Sequence, residues 1–511
     1  MIINFLIIIQ EIMEKEQKTK KKKTSLIAEI ERFGYKVSVK SLIGTFAMIV
    51  AGCIAAGYLF KLKPVGYVIV CIVAVMCTFS IIYQSYKARY EQRRFSDVSI
   101  YLERMIYYFS SGITILDALV LIIKLFPSGE MHDTLEKAIN IIKTSNVANV
   151  DKAALEEIEK AYPVARIRTL HKFMLQVQLN GGNTELGKKI LLNDRKNWVD
   201  RTMELQVGKR NFRRDTVVVL VIVTAMCLCA LYVPQFVKQL NIDISLNPLV
   251  QITSVILLCA NVLIYTHINR FMSKNWLDEK EEKTDEECRK IYDNYYNNNM
   301  KRDIITAVIC SAITVIIGTA VYIKVHSWLV FAVAALLIIF FIKSPALGRK
   351  EVKKQIQRMI EMYYPQWLLH VSLYLATENV PVAMTKSYED APGIIKPALY
   401  KMLKELDEKP ASAEPYNNFL SEFDVKEVDE SMTALYSLAQ SEGGNIEDEF
   451  ADLISRNNEL SNKAEKLKNE DKLFMMQLNM YLPSAVCCIK MICDFVILFV
   501  TFFSSSMSII G

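Results

Sequence analysis

Two hydrophobic patterns alternate along the 511 residues. Apolar runs near the bilayer-spanning length of about 20 residues occupy 41–60, 64–83, 216–234, 248–267, 303–323, 327–342 and 481–503. Between them lie two hydrophilic blocks, 84–215 and 343–480, where apolar residues recur every three or four positions. In "VARIRTLHKFMLQVQLN", Ile167, Leu170, Phe173, Met174 and Val177 fall on one helical face. Neither block contains a run of alternating β-branched residues. The pattern predicts an all-α polytopic membrane protein with seven spans and two helical-bundle domains.

Punctuation divides the blocks into helices. The first block predicts helices near 92–110, 115–126, 131–145, 151–161, 164–179 and 184–212, and the second near 349–377, 382–389, 393–407, 412–421, 425–441 and 446–475. Gly112, then Thr114 with Asp117 three residues on, mark a stop followed by a capped start; Pro127, Gly129, Pro381, Pro392 and Pro410 mark further breaks.

Hydrophobic residues make up 52% of the chain and charged ones 23%, which would suit a soluble protein only if the apolar residues were evenly spread. Charge then sets orientation, because Lys and Arg accumulate in cytoplasmic loops. The short connections offer only Lys61, Lys63, Lys238 and Lys324, whereas Lys20 to Lys23, Lys87, Arg89, Arg93, Arg94, Lys209, Arg210, Arg213 and Arg214 lie in the longer segments. The N-terminus and both blocks are therefore expected in the cytoplasm. The predicted order is a basic leader (1–40), a transmembrane hairpin (41–83), a first cytoplasmic domain (84–215), a second hairpin (216–267), a charged cytoplasmic linker (268–302), a third hairpin (303–342), a second cytoplasmic domain (343–480) and a C-terminal transmembrane segment (481–511).

The opening "MIINFLIIIQEIMEKEQKTKKKK" does not read as a cleaved signal, since its short apolar run precedes its positive charge and no small-residue cleavage site follows. Met13 is an alternative start. Of eleven cysteines, only Cys288 lies outside an apolar span, and the five histidines are scattered, so no metal site is expected.

The stretch "NGGNTELGKK", Asn180 to Lys189, nearly spells a phosphate-binding loop, since Gly182 to Lys188 reads G-x-x-x-x-G-K. The motif requires Ser or Thr next, for Mg²⁺, and a strand leading in; here Lys189 follows and a helix leads in. The Gly-Gly-Asn recurs in "SEGGNIEDEFADL", where Glu449 and Phe450 replace Gly187 and Lys188. What both copies share is a turn: Gly181-Gly182 and Gly443-Gly444 reverse the chain, Asn183 and Asn445 cap the next helix, and Glu185 and Glu447 face its positive end. Each corner follows a hairpin at nearly the same distance, which points to an internal duplication.

"YLERMIYYFSSGITILDAL" (101–119), then "LNGGNTELGKKILLNDRKNWVDRTMELQVGKRNFRRD" (179–215) and a span, resemble the type II secretion system F family. The second block is similar through "YLATENVPVAMTKS" (374–387) and "SEGGNIEDEFADLISRNNELSNKAEKLKNEDK" (441–472), with Asn379 in place of the family's Gly and Thr385-Lys386 in place of Ala-Leu. The whole resembles the paired inner-membrane proteins of tight-adherence (Tad) pili joined in one chain. The resemblance implies a platform in the bacterial cell membrane that couples a cytoplasmic secretion or pilus ATPase to assembly of pilin or pseudopilin subunits. It also implies a homo-oligomer with no catalytic residue or cofactor of its own; no nucleic-acid partner is expected.

Lys490 and Asp494 lie inside the last span at helical i, i+4 spacing, where ionisable groups face protein or water. They form either an internal pair or an intramembrane contact with a subunit or pilin. The charged helices 184–212 and 446–475 are either docking rods or solvated faces. A secondary transporter is the alternative, though such repeats place broken helices and polar residues near the midplane; an ATP-driven enzyme is a third reading.

Overall fold

The computed structural model describes residues 30–31, 33–35, 39–144, 149–236, 243–273, 276–277, 285–297, 300–325, 328–440 and 446–510. Of these, 87% are helical and none forms a strand, so the described chain is all-α. The chain from the first apolar run through the third is carried by α1 (Val39–Leu59), α2 (Pro64–Ser110), α3 (Ile115–Ile123), α4 (Glu130–Thr144), α5 (Val150–Ala161), α6 (Ala165–Asn180) and α7 (Thr184–Phe236). Then come α8 (Pro248–Met272), α9 (Asp285–Asn297), α10 (Met300–Val325) and α11 (Leu329–Leu375). The remainder is α12 (Val380–Ser387), α13 (Lys396–Glu408), α14 (Glu414–Asn418), a 3₁₀ turn at Ser421–Phe423, α15 (Lys426–Gln440), α16 (Ile446–Asn479) and α17 (Tyr481–Ile510).

Seven separate spans were expected from the apolar runs, and the helices are drawn differently. Among the described residues four are long and apolar enough to cross a membrane: Pro64–Ser110, Thr184–Gln235, Pro248–Phe271 and Glu449–Ser504. A fifth arises if Phe331–Ser344 and Leu347–Leu375, which meet at 46°, count as one span. Pro345 sits at that break and lacks the backbone donor that would continue the ladder. The two remaining runs form shorter apolar helices, Ile43–Leu59 and Ile305–Ala320. The first stops where Lys61 takes φ 48° and turns the chain into α2. These helices are compatible with a multi-pass membrane protein.

The chain forms two compact units. The first gathers the described parts of Met1–Val98, Thr202–Leu277 and Asp471–Gly511, and the second Ser99–Arg201 and Asp278–Glu470. Helices α2, α7 and α16 contribute residues to both, because no Pro interrupts the sequence where apolar run gives way to charged helix.

In the first unit Phe60, Val70, Val223, Cys227, Leu231, Leu257 and Cys487 form a continuous core. The opposite faces of the same helices expose Val221, Ile256, Ile492, Phe499 and Val500, the distribution expected where lipid replaces water. Polar bonds close one end of this core: Lys61 Nζ donates to Asp243 Oδ2 at 3.0 Å, Tyr232 OH to the Leu59 carbonyl at 2.8 Å, and Gln251 Nε2 to the Lys61 carbonyl at 2.9 Å. Burial pushes the Asp243 carboxyl up, but bonds from Ser245 and the Lys61 ammonium outweigh it and hold it below its ordinary range.

The second unit unites the two hydrophilic blocks. Ile115, Ala118, Leu119 and Ile122 of α3, Met131, Leu135 and Ala138 of α4, and Ile167, Leu170, Phe173 and Met174 of α6 are buried at the three-and-four spacing read from the sequence. Thr114 caps α3 by accepting the Asp117 amide, and Asn379 caps α12 by accepting the Val382 amide. Trp367 is fully buried, stacks near Tyr364 and Phe419, and donates its indole N–H to Ser387 Oγ at 3.0 Å. The 268–302 stretch, expected as a linker, contains α9, whose Tyr292 and Tyr295 pack on the Phe423 ring and whose Tyr296 bonds Glu422.

Candidate functional site

Helix α6 leads into the first corner. Gly181 and Gly182 adopt φ 72° and 136°, a conformation that L side chains rarely take, and Asn183 Oδ1 accepts the Leu186 amide at 3.0 Å to cap α7. The corner seats on the turn between α11 and α12. The Asn183 N–H donates to the Ala376 carbonyl at 3.0 Å, Asn180 Nδ2 donates to Glu378 Oε1 at 2.9 Å, and Gln176 bonds Thr377. A Cβ on Gly182 would stand 2.4 Å from Thr377 Cγ2, so the close approach requires glycine. Gly187 lies against Phe173, and Lys188 pairs with Glu185 at 3.3 Å and sits 5.5 Å from the centroid of the Tyr107 ring. Each element of the phosphate-loop look-alike thus has a packing role. Gly443, Gly444 and Asn445 lie outside the described residues.

The two ionisable residues of the last apolar run are joined. Lys490 Nζ donates to Asp494 Oδ2, and both side chains are 2% exposed. Lys490 points toward the Phe60 ring, with its ammonium 5.9 Å from the centroid. One turn before Lys490, the Cys487 sulfur lies 3.5 Å from that of Cys227 on α7. The pair therefore faces its own bundle. Asp494 Oδ1 and Asn261 Oδ1 are buried without a hydrogen-bond partner among the described residues, while Asn261 Nδ2 donates to Thr224 at 3.2 Å.

A third constellation has no counterpart among the residues singled out from sequence. In the second unit, α5, α6 and α11 wall an open cleft of about 530 Å³. His171, 1% exposed, sits between Glu159, 2.8 Å from its Nδ1, and the Tyr101 hydroxyl, 2.7 Å from its Nε2. Lys172 Nζ donates to both oxygens of Asp390 at 2.8 Å, and Tyr374 OH donates to the same carboxylate at 2.8 Å. His370 stands 4.0 Å from Asp390.

The electrostatics follow from burial and pairing. Burial lowers the His171 imidazole below its ordinary value, and the Glu159 contact only partly opposes this. His370 is lowered for the same reason against Asp390. Burial would raise Asp390, but His370, Lys172 and Tyr374 together hold it low. Tyr374 is pushed up to about 12, by burial first and by the Asp390 contact after it.

Compared with known protein families, curated proteins and solved structures, the chain gives no match. The first corner and the Lys490–Asp494 pairing were legible because each is local in sequence. The cleft was not, because Glu159, Lys172 and Asp390 meet only after helices from both blocks pack. The one local signal was His171 on the otherwise apolar face of α6.

Proposed function

We propose that this protein is an inner-membrane platform of a type II secretion or type IV/Tad pilus assembly machine, coupling a cytoplasmic ATPase to the addition of pilin or pseudopilin subunits. The observation that carries the reading is a register. Asn197 Nδ2 donates to the Asn458 carbonyl and Arg201 Nε to Asn462 Oδ1, both across 261 residues; within a residue, this is the spacing that separates Gly182 from Gly444 in sequence. Farther along, Cys227 and Cys487 meet across 260 residues. Helices that follow the two corners thus run parallel with corresponding positions side by side, as they do in a two-fold pair. Such pairing supports a duplicated chain in which one polypeptide supplies both members of the paired Tad-like platform.

On this reading the hydrophilic blocks face the cytoplasm, energy release belongs to the ATPase, and the chain is not an enzyme. Affinity purification of the tagged chain from native membranes tests it. A secretion-type hexameric ATPase and a pilin-like subunit are expected, identified by mass, and loss of the extracellular appendage is expected on deletion. Intact appendages in the deletion strain overturn the reading.

Secondary transport is the second reading, favoured by the polar interior of the first unit, where Lys490, Asp494, Asn261 and Thr224 lie among apolar helices. Solute accumulation by liposomes containing the purified chain alone would support it.

A further inference from the structure

We propose that the cleft between α5, α6 and α11 binds a phosphate-bearing small molecule, held by Arg168, Gln366 and His370. This assignment is independent of the platform reading, which needs no soluble ligand.

The chemistry of the lining carries the inference. Two of its carboxylates are already committed, Glu159 to His171 at 2.8 Å and Asp390 to Lys172 and Tyr374, while Glu156 only approaches Lys152, at 4.0 Å in solvent. Its donors are not. Among the described residues the side chains of Arg168, Gln366 and His370 donate no hydrogen bond, yet all three line the cleft. Gln366 and His370 sit one turn apart on α11, so they share a face, and Arg168 approaches from α6. An exposed guanidinium, an amide and an imidazole that donate no hydrogen bond among the described residues, with His370 only 4.0 Å from Asp390, in a wall where Glu159 and Asp390 are already engaged, together call for a ligand that is rich in acceptors. Phosphate oxygens meet that demand, and the planar guanidinium suits them in particular.

Size agrees. A cavity of about 530 Å³ lies inside the range of about 300–1,000 Å³ usual for small-molecule sites, larger than a bare phosphate requires and ample for a nucleoside monophosphate. The walls are rigid where they need to be. His171 is fixed through both ring nitrogens, and the Lys172–Asp390–Tyr374 cluster ties α6 to the segment after α12. The ligand therefore meets a preformed site between the two hydrophilic blocks.

Calorimetric titration of the detergent-solubilised full chain tests this with two probes, inorganic phosphate and adenosine 5′-monophosphate. One saturable site is expected, with the nucleotide binding more tightly and phosphate competing for it. Arg168→Gln and His370→Gln should each weaken binding about tenfold or more, the loss of a charge-assisted bond or of a desolvated donor. Lys404→Gln, on exposed α13, should leave it unchanged. Because Arg168 is exposed, its variant keeps the fold, which an unchanged melting temperature without ligand would verify. A phospholipid headgroup offers the same chemistry. Nanodiscs of neutral lipid with and without phosphatidic acid separate the sources: competition by phosphatidic acid that depends on Arg168 identifies the lipid, and competition by soluble esters alone identifies a free metabolite. Absence of saturable binding by either probe, or binding that Arg168→Gln and His370→Gln both leave intact, overturns the proposal.

Discussion

Gly187 lies so close to Phe173 that a Cβ added to it would stand 2.0 Å from the Cζ of the ring. This contact explains a glycine that otherwise completes a phosphate-loop pattern. Phe173 is 3% exposed and part of the α6 face that builds the second unit. Gly187→Ala must displace the ring or the helix, and overpacking of this kind costs about 1–3 kcal/mol. Thermal unfolding should show the loss, and Phe173→Leu in the same chain should recover part of it, since the two residues touch. Lys188→Ala should change stability far less, because its partner Glu185 is exposed. Equal losses from both substitutions would mean that the glycine is not there for packing.

The Lys490–Asp494 pair makes a prediction about single against double substitution. Each charge is buried and answered by the other. Removing one leaves its partner uncompensated, at a cost of about 3–5 kcal/mol, whereas removing both costs much less. Lys490→Leu and Asp494→Leu should therefore each impair folding in detergent, and the double variant should insert and unfold nearly as the parent does. On the proposed platform function, a double variant that folds but no longer supports assembly would show that the pair also serves a partner contact. Normal pilus formation in that variant discards such a role.

Acid should loosen the second unit before it titrates most carboxylates. The imidazoles of His171 and His370 are both lowered by burial from an ordinary value of 6.5, so the folded chain binds fewer protons than the unfolded chain just below that pH. Stability must then fall as pH drops from the unfolded value toward the depressed folded values. Asp390, held low by its neighbours, adds a second loss only when pH passes below the ordinary carboxylate range. Melting temperatures measured from pH 8 to pH 4 should decline first near pH 6.5. His171→Gln, which keeps a neutral hydrogen-bonding side chain, should flatten that early decline. A profile that begins to fall only near pH 4 would remove the histidines from the account.

Much of the fold was legible because helix punctuation is chemical and local. Thr114, Gly112, Pro392 and the first Gly-Gly-Asn corner mark stops and starts that the helices observe within a few residues. Span boundaries were less legible, because hydropathy reports where apolar residues end and not where a helix ends; α2 continues from Pro64 through its charged portion to Ser110. Beyond His171 on an apolar face, the chemistry of the cleft could not be read, since Lys172 and Asp390 are 218 residues apart and each looks like an ordinary surface charge.

The register between α7 and α16 is open to a direct test. Asn197→Cys with Asn458→Cys, and separately Arg201→Cys with Asn462→Cys, should each be joined by a short bifunctional thiol reagent, since both native pairs bond across the same 261 residues. The crossed pair, Asn197→Cys with Asn462→Cys, is displaced by about one helical turn, roughly 6 Å along the axis, and should link more slowly. Mass spectrometry of the joined peptides separates these products from links to native cysteines. Two fast matched pairs and a slow crossed pair fix a parallel pairing of corresponding positions, the geometry a duplicated chain folding back on its own copy must adopt. Faster linking of the crossed pair would shift one helix by a turn, break the correspondence between the two corners, and remove the main support for reading this chain as two platform proteins in one.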